Sequence, residues 1–185
     1  MKGKFFNKFS VFDLVLLSLV AAAGIAVKPI VVSVSHLITG PLLIPGGALA
    51  GGFYMLFVVL GAALVGKRGS AFLICLVQCI LVIASGVYGT HGIASLLTYV
   101  VPGLAVELLW LFTDSYGRSL IACFFGGIAA NVTGVLLVNL VFFRLPLLPV
   151  LLSAALAAFS GGIGGIIAWQ IVKTIKKQNI LSSLK

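Results

Sequence analysis

Seven polar or ionisable side chains stand within or beside long apolar runs of this chain: Lys28, His36, Gln78, Tyr88, His91, Tyr99 and Asn131. Ionisable groups in such surroundings are expensive and usually mark a functional site. Ammonium, imidazole, amide and phenol groups can each hold a polar ligand through hydrogen bonds or charge. We therefore predict that these residues bind a small molecule. The alternative for Lys28 is a side chain that reaches out to a membrane interface, and for the histidines it is an ordinary hydrogen bond within a loop.

Signatures of reaction chemistry are missing from the sequence. It has no HExxH, GxSxG or CxxC motif, no pair of membrane aspartates and no phosphate-binding loop. Hydrolytic, metal-assisted and ATP-dependent chemistry depend on such constellations. We therefore expect no catalytic residue and no cofactor, and we expect any ATP hydrolysis to take place on another chain. Two histidines do not specify a metal site, so we also expect no metal.

The composition predicts an all-α integral membrane protein. The chain is 62% hydrophobic and only 8% charged, with a mean hydropathy of +1.30. Soluble domains are roughly 45–50% apolar and about 25% charged. A transmembrane helix needs about 20 predominantly apolar residues. We predict one membrane domain over residues 1–185 with six transmembrane helices, at about 11–34, 45–65, 70–85, 93–112, 118–143 and 147–175.

Most of the positive residues fall on one side of the predicted membrane domain. Those that fall on one side, if all six segments span, are Lys2, Lys4, Lys8, Lys67, Arg68, Arg118, Lys173, Lys176, Lys177 and Lys185. Only Lys28 and Arg144 remain for the outer half. Positive residues favour the cytoplasmic side, which places both termini in the cytoplasm. We expect a multi-pass protein of the bacterial cytoplasmic membrane. Because topology explains the net charge of +9, we expect no nucleic-acid partner.

Small residues recur at four-residue spacing in three of the segments. The stripes are Ser18, Ala22 and Ala26 in the first, Gly126, Ala130 and Gly134 in the fifth, and Ala157, Gly161 and Gly165 in the sixth. Lipid supplies no hydrophobic drive between helices, so small residues promote association by letting backbones approach closely. Each stripe therefore either packs inside the chain's own bundle or contacts another membrane subunit.

Three short stretches give the chain a resemblance to a known family. They are Ala22-x-x-x-Ala26, the run from Gly46 to Tyr54 with its paired glycines, and the turn Gly66-Lys67-Arg68-Gly69-Ser70-Ala71. The turn is similar to an Arg-Lys-Pro-Gly-Ala motif. The chain thus resembles the substrate-binding S component of an energy-coupling factor (ECF) transporter, closest to the hydroxymethylpyrimidine/thiamine branch.

The resemblance implies a mechanism of transport. An S component of this kind of ABC importer binds a vitamin or related micronutrient in its outer half, under the first and third outer loops. It docks on an ECF transmembrane coupling subunit through its first segment, here by Ser18, Ala22 and Ala26. Two ATPase subunits then power toppling of the S component in the membrane, which releases the ligand inside.

The ligand itself stays open at this stage. Acidic residues expected after the Gly66–Ala71 turn are absent, and Gln78 is the nearest polar residue, which argues against a cationic thiamine-like ligand. Lys28, His36, His91 and Arg144 make the outer half weakly positive. That charge suits a ligand with a carboxylate or phosphate, or one with a metal centre such as a cobamide or haem-like tetrapyrrole.

Two other classes of function compete with transport. The chain could be a structural or assembly subunit without its own ligand, in which case the small-residue stripes are contacts only. It could also be a small membrane-embedded enzyme that modifies lipid, with Glu107 and His91 as its acid and base. Those two residues lie about 24 Å apart along a continuous helix, which disfavours a single catalytic centre.

Overall fold

The computed structural model describes residues 9–42, 44–85, 95–113 and 116–178, and the regular structure within them is helical. The helices are α1 (Val11–Thr39), α2 (Gly46–Tyr54), α3 (Leu56–Val65), α4 (Ser70–Ser85), α5 (Ser95–Leu111), α6 (Leu120–Val138) and α7 (Leu147–Lys177). A 3₁₀ turn, Gly40–Leu42, follows α1, and a π-helical turn, Asn139–Phe143, extends α6.

The described helices confirm the predicted all-helical membrane fold. Four stretches are long and apolar enough to cross a bilayer: Val11–Leu42, Gly46–Val65, Leu120–Phe143 and Leu147–Lys177. The second stretch combines α2 and α3, which are separated only by a turn at Met55. Two shorter apolar helices, α4 and α5, bring the apolar segments among the described residues to six.

Helices α6 and α7 pack against each other with almost no side chain between their backbones. A Cβ atom added to Gly127 would overlap the carbonyl oxygen of Gly161, and one added to Gly165 would overlap that of Cys123. Ala130 and Ala157 are completely buried. The small-residue stripes of these two helices therefore serve packing within the bundle, as expected where only close contact drives helix association.

The inner end of α1 is fixed by a capping box and an ion pair. The Ser10 side chain accepts a hydrogen bond from the backbone N–H of Asp13, and the Asp13 carboxylate accepts one from the backbone N–H of Ser10. The same carboxylate forms an ion pair with Lys67, in the turn between α3 and α4. Capping satisfies N–H groups that a helix start leaves unpaired, and the ion pair joins two elements distant in sequence.

The outer end of α1 extends beyond the predicted span. The helix continues through Pro29 to Thr39, whose hydroxyl donates to the carbonyl of Ser35 at 3.1 Å. Ser35 and Thr39 are buried, and so is Ile44 in the connection to α2. The helix therefore ends five residues beyond residue 34, the approximate end of the predicted span.

Candidate functional site

A cavity lies among α1, the junction of α2 and α3, α4 and α5. It holds about 10 Å³ of free volume, enough for about one water molecule, and its lining residues are Gly24, Ile25, Lys28, Tyr54, Met55, Gln78, Thr98 and Tyr99. Thr98 and Tyr99 belong to the first turns of α5, which follow the outer loop, and Lys28 lies in the outer half of α1. The cavity is therefore in the outer half of the bundle, where the sequence predicted a ligand.

Lys28 projects its ammonium towards two tyrosine rings of the cavity wall. The Nζ atom lies 4.0 Å from the centroid of the Tyr99 ring and 5.0 Å from that of Tyr54. Both distances fall within the range of about 6 Å in which a cation is attracted by the face of an aromatic ring. The three half-buried side chains come from α1, α2 and α5, so the contact joins elements far apart in sequence.

Gln78 provides an amide group on the opposite wall, from the middle of α4. Its side chain is 6% exposed, and Nε2 is 3.5 Å from the carbonyl oxygen of Ala21 on α1. The amide can approach α1 because residue 24 is glycine: a Cβ there would lie 2.7 Å from Nε2. A hydrogen bond at 3.5 Å is long, so this amide keeps capacity for a better partner.

The cavity brings together some of the residues predicted to bind a ligand and not others. Lys28, Gln78 and Tyr99 line it. His36 is exposed near the outer end of α1 and is not part of the lining. Tyr88 and His91 lie outside the described residues.

Asn131 has a different environment, in the contact between α2, α6 and α7. Its Nδ2 atom lies 3.1 Å from the carbonyl oxygen of Ala48, 2.9 Å from that of Ala157 and 2.9 Å from the hydroxyl of Ser160. The side chain is 1% exposed and does not line the cavity. These contacts give Asn131 a role in joining three helices.

Sequence reasoning missed Gly24 and Tyr54 as parts of the site. Gly24 precedes Lys28 by one helical turn, so the two share a face of α1, and this spacing was a usable signal. Tyr54 ends the glycine-rich run from Gly46, and its hydroxyl is 3.4 Å from the carbonyl oxygen of Gly47. Nothing in the sequence showed that α2 turns this ring towards α1.

Comparison with known proteins places this geometry in a family. Residues 12–133 match the family described as "ABC-type cobalt transport system, permease component". The chain belongs to this permease family. It is therefore a membrane component of a transport system and not an enzyme in its own right.

A solved structure shares the fold of this permease family member. The structure is described as "Crystal structure of an S-component of ECF transporter", and it superposes with a TM-score of 0.74 at 18% identity. The similarity covers 95% of this chain and 89% of the other. At this identity the match establishes the fold. A search of the curated proteins finds no significant match.

The outward face of α1 distinguishes it from the other long helices of this permease. In its most apolar 18-residue window only 17% of residues are buried, against 61% for Gly46–Val65, 44% for Leu120–Phe143 and 39% for Leu147–Lys177. Ser18, Ala22 and Ala26 are all exposed. Unlike the stripes of α6 and α7, the predicted docking stripe is free of contacts that would bury it.

Glu107 performs a structural task at the inner end of the permease, away from the cavity. Its carboxylate accepts hydrogen bonds from the backbone N–H groups of Gly69 at 3.0 Å and Ala71 at 2.8 Å, at the start of α4. It also accepts one from the hydroxyl of Tyr116. Burial, followed by the charge of Glu107, raises the pKa of Tyr116 well above its usual range. The phenol therefore stays protonated and keeps donating.

Proposed function

We propose that the protein is the substrate-binding S component of an ECF-type ABC importer and that its ligand occupies the cavity around Lys28. The observation that carries the proposal is the cavity itself: an ammonium, an amide and two phenol rings meet in the outer half of an otherwise apolar bundle. Binding sites for small molecules combine an apolar enclosure with a few polar groups in this way. The similarity of fold to an S component supports the same function.

Docking on the transport machinery occurs through α1. Ser18, Ala22 and Ala26 form an exposed stripe on the least buried of the long helices. Small residues at this spacing allow a helix of another subunit to approach the backbone closely. The partner is the ECF transmembrane coupling subunit, and two ATPase subunits supply the energy, because this chain has no phosphate-binding loop.

The dimensions of the cavity favour a small organic ligand. The cavity holds about 10 Å³ of free volume, enough for about one water molecule, so its walls must move apart to admit any ligand. A single-ring vitamin precursor requires less of this movement than a cobamide or haem-like tetrapyrrole does. This preference for a small ligand agrees with the resemblance to the hydroxymethylpyrimidine/thiamine branch. Among the ligands of that branch, the neutral or acidic ones suit the positive charge of Lys28.

A bare cobalt ion suits this cavity poorly, although the family description names cobalt transport. Divalent transition metals bind imidazole, thiolate and carboxylate ligands. The described lining residues include none of these groups, and they place an ammonium where the ion would lie. Within the described residues, no three such side chains come together elsewhere.

The test is to identify what the purified protein carries. Protein from cells grown in rich medium is denatured, the small molecules released are identified by mass spectrometry, and an absorption spectrum is taken beforehand. We expect a stoichiometric vitamin or precursor, and co-purification of a coupling subunit with two ATPases when the native operon is expressed. Neither a bound molecule nor these partners would be found if the chain were a structural subunit.

A further inference from the structure

The acidic residues that the structure describes, Asp13 and Glu107, both lie at the inner end of the bundle. The sequence contains three: Asp13, Glu107 and Asp114. Asp13 pairs with Lys67, and Glu107 binds the N-terminus of α4. Asp114 lies outside the described residues. No Asp or Glu lies between residues 14 and 106, the part of the sequence that supplies every lining residue of the cavity.

Lys28 consequently has no carboxylate partner among the described residues. Within the described residues the recorded contacts of its ammonium are the faces of Tyr99 and Tyr54, and the ion pair found there is that of Lys67 with Asp13. An aromatic face attracts a cation but carries no net charge. A half-buried ammonium in an apolar bundle gains much more from an anion, because the surroundings screen the attraction weakly.

We propose that the ligand of this cavity carries an anionic group, a carboxylate or a phosphate, which pairs with Lys28. The inference rests on the proposed function, since it names the chemical class of that ligand. The anionic group draws Nζ from the tyrosine faces and forms a charge-assisted hydrogen bond with it. The Tyr54 and Tyr99 rings are then released to stack against a planar part of the ligand, and the Gln78 amide bonds its polar edge.

The opposite ligand charge is excluded by the same groups. A cationic ligand would lie beside Lys28 without any carboxylate to compensate for the repulsion, because none is among the described residues that line the cavity. Selection by charge follows directly: an acid should bind, and the amide or amine analogue of the same shape should not. Discrimination of this kind needs only one unpaired ammonium in an apolar site.

The experiment compares the full-length protein with two lysine variants. Wild type, Lys28→Met and Lys173→Met are reconstituted in phosphatidylcholine nanodiscs. Lys173 is the matched control, because its ammonium also lies over a ring, that of Trp169 at 4.9 Å, but at the inner end of α7. The compound released from wild type is identified, and its affinity for each protein is measured by calorimetry.

We expect this compound to carry a carboxylate or phosphate. Lys28→Met should bind it about 10- to 100-fold more weakly, the usual effect of losing a hydrogen bond to a charged group, and Lys173→Met should bind it as wild type does. A neutral or cationic compound, or equal binding by Lys28→Met, overturns the inference while the proposed transport function stands. If the wild-type protein carries no compound and co-purifies with no transport subunit, the result contradicts the proposed function itself.

Two further binding experiments decide the cases in which no compound is released or a lipid supplies the anion. If wild type releases nothing, benzoate and benzamide serve as probes: thermal stabilisation by benzoate alone, lost in Lys28→Met, supports the inference, and its absence overturns it. A lipid headgroup could supply the same anion. Stabilisation of wild type but not Lys28→Met by added phosphatidylglycerol, without any response to small acids, assigns the anion to lipid and overturns the small-ligand proposal.

Discussion

The carboxylate of Glu107, on α5, lies 2.8 Å from the backbone nitrogen of Ala71, in the first turn of α4. An anion at a helix N-terminus satisfies N–H groups that have no partner within the helix and interacts favourably with the helix dipole. The two helices are thereby joined at their inner ends, while Gln78 on α4 and Tyr99 on α5 line the cavity further out. A side chain outside the site thus sets the spacing of two of its walls.

Replacement of this carboxylate should destabilise the protein without removing the ligand-contacting groups. We expect Glu107→Gln to lower the free energy of unfolding by about 1–3 kcal/mol, since the amide keeps an acceptor but loses the charge. Tyr116→Phe removes one donor to the same carboxylate and should cost less, about 0.5–1.5 kcal/mol. Thermal unfolding in detergent measures both. Equal stability of Glu107→Gln and wild type would contradict the capping role.

The contacts of Glu107 follow a general rule of membrane proteins. An acidic residue in an apolar segment must find partners, and a bond between neighbouring helices is a common solution. Segment length and composition predicted the helical fold for a similar reason, because charge and unpaired backbone groups are costly in lipid.

The site was predicted less completely because helix rotation is set by packing. Gln78 and Asn131 are both amides in apolar helices, and nothing in the sequence separates them. Gln78 faces the cavity because Gly24 leaves room on α1, whereas Asn131 is held by Ala157 and Ser160 of α7. Such a distinction depends on contacts between helices distant in sequence, so Tyr54 could not be assigned to the site either.

The ion pair between Asp13 and Lys67 should show energetic coupling. The Asp13 side chain is 4% exposed and that of Lys67 is 31% exposed, so removal of the lysine leaves a buried carboxylate without its counter-charge. We expect Lys67→Met to cost about 1–3 kcal/mol, less than for a fully buried pair because water reaches the ammonium. The double variant with Asp13→Asn should recover part of that loss.

A double-mutant cycle measures this coupling. Unfolding of wild type, both single variants and the double variant should give an interaction energy within the range of about 0.5–3 kcal/mol that is typical of residues in direct contact. Strictly additive effects would mean that the pair contributes nothing to the attachment of α1 to the turn between α3 and α4.

Two glycines of α6 should respond oppositely to the same substitution. Gly127→Ala places a methyl group against the backbone oxygen of Gly161, which cannot move without separating α6 from α7. At Gly134 the nearest atom to an added Cβ is the Met55 Cε at 3.4 Å, an ordinary contact. We expect Gly127→Ala to lose folded protein, and Gly134→Ala to be neutral or to stabilise by up to about 1 kcal/mol, because alanine favours the helix.

Size-exclusion profiles and thermal unfolding in detergent separate the two glycine variants. Comparable yields and melting temperatures for Gly127→Ala and Gly134→Ala would show that the backbones of α6 and α7 can separate cheaply. The contact would then not be the close-packed seam that the glycines indicate.

The exposed stripe of α1 gives a prediction about transport. Ala22→Trp and Ala26→Trp should leave folding and ligand binding intact, because both residues are exposed and neither lines the cavity. Uptake should nevertheless fall by about tenfold or more, the effect of some 1.4 kcal/mol of lost docking free energy.

Ala155→Trp is the matched control, since Ala155 is also exposed on an apolar helix, α7. Uptake assays in cells, with ligand binding and coupling-subunit pull-down on the purified variants, distinguish a docking defect from misfolding. Normal uptake by both α1 variants, or an equal loss in Ala155→Trp, would refute docking through this face.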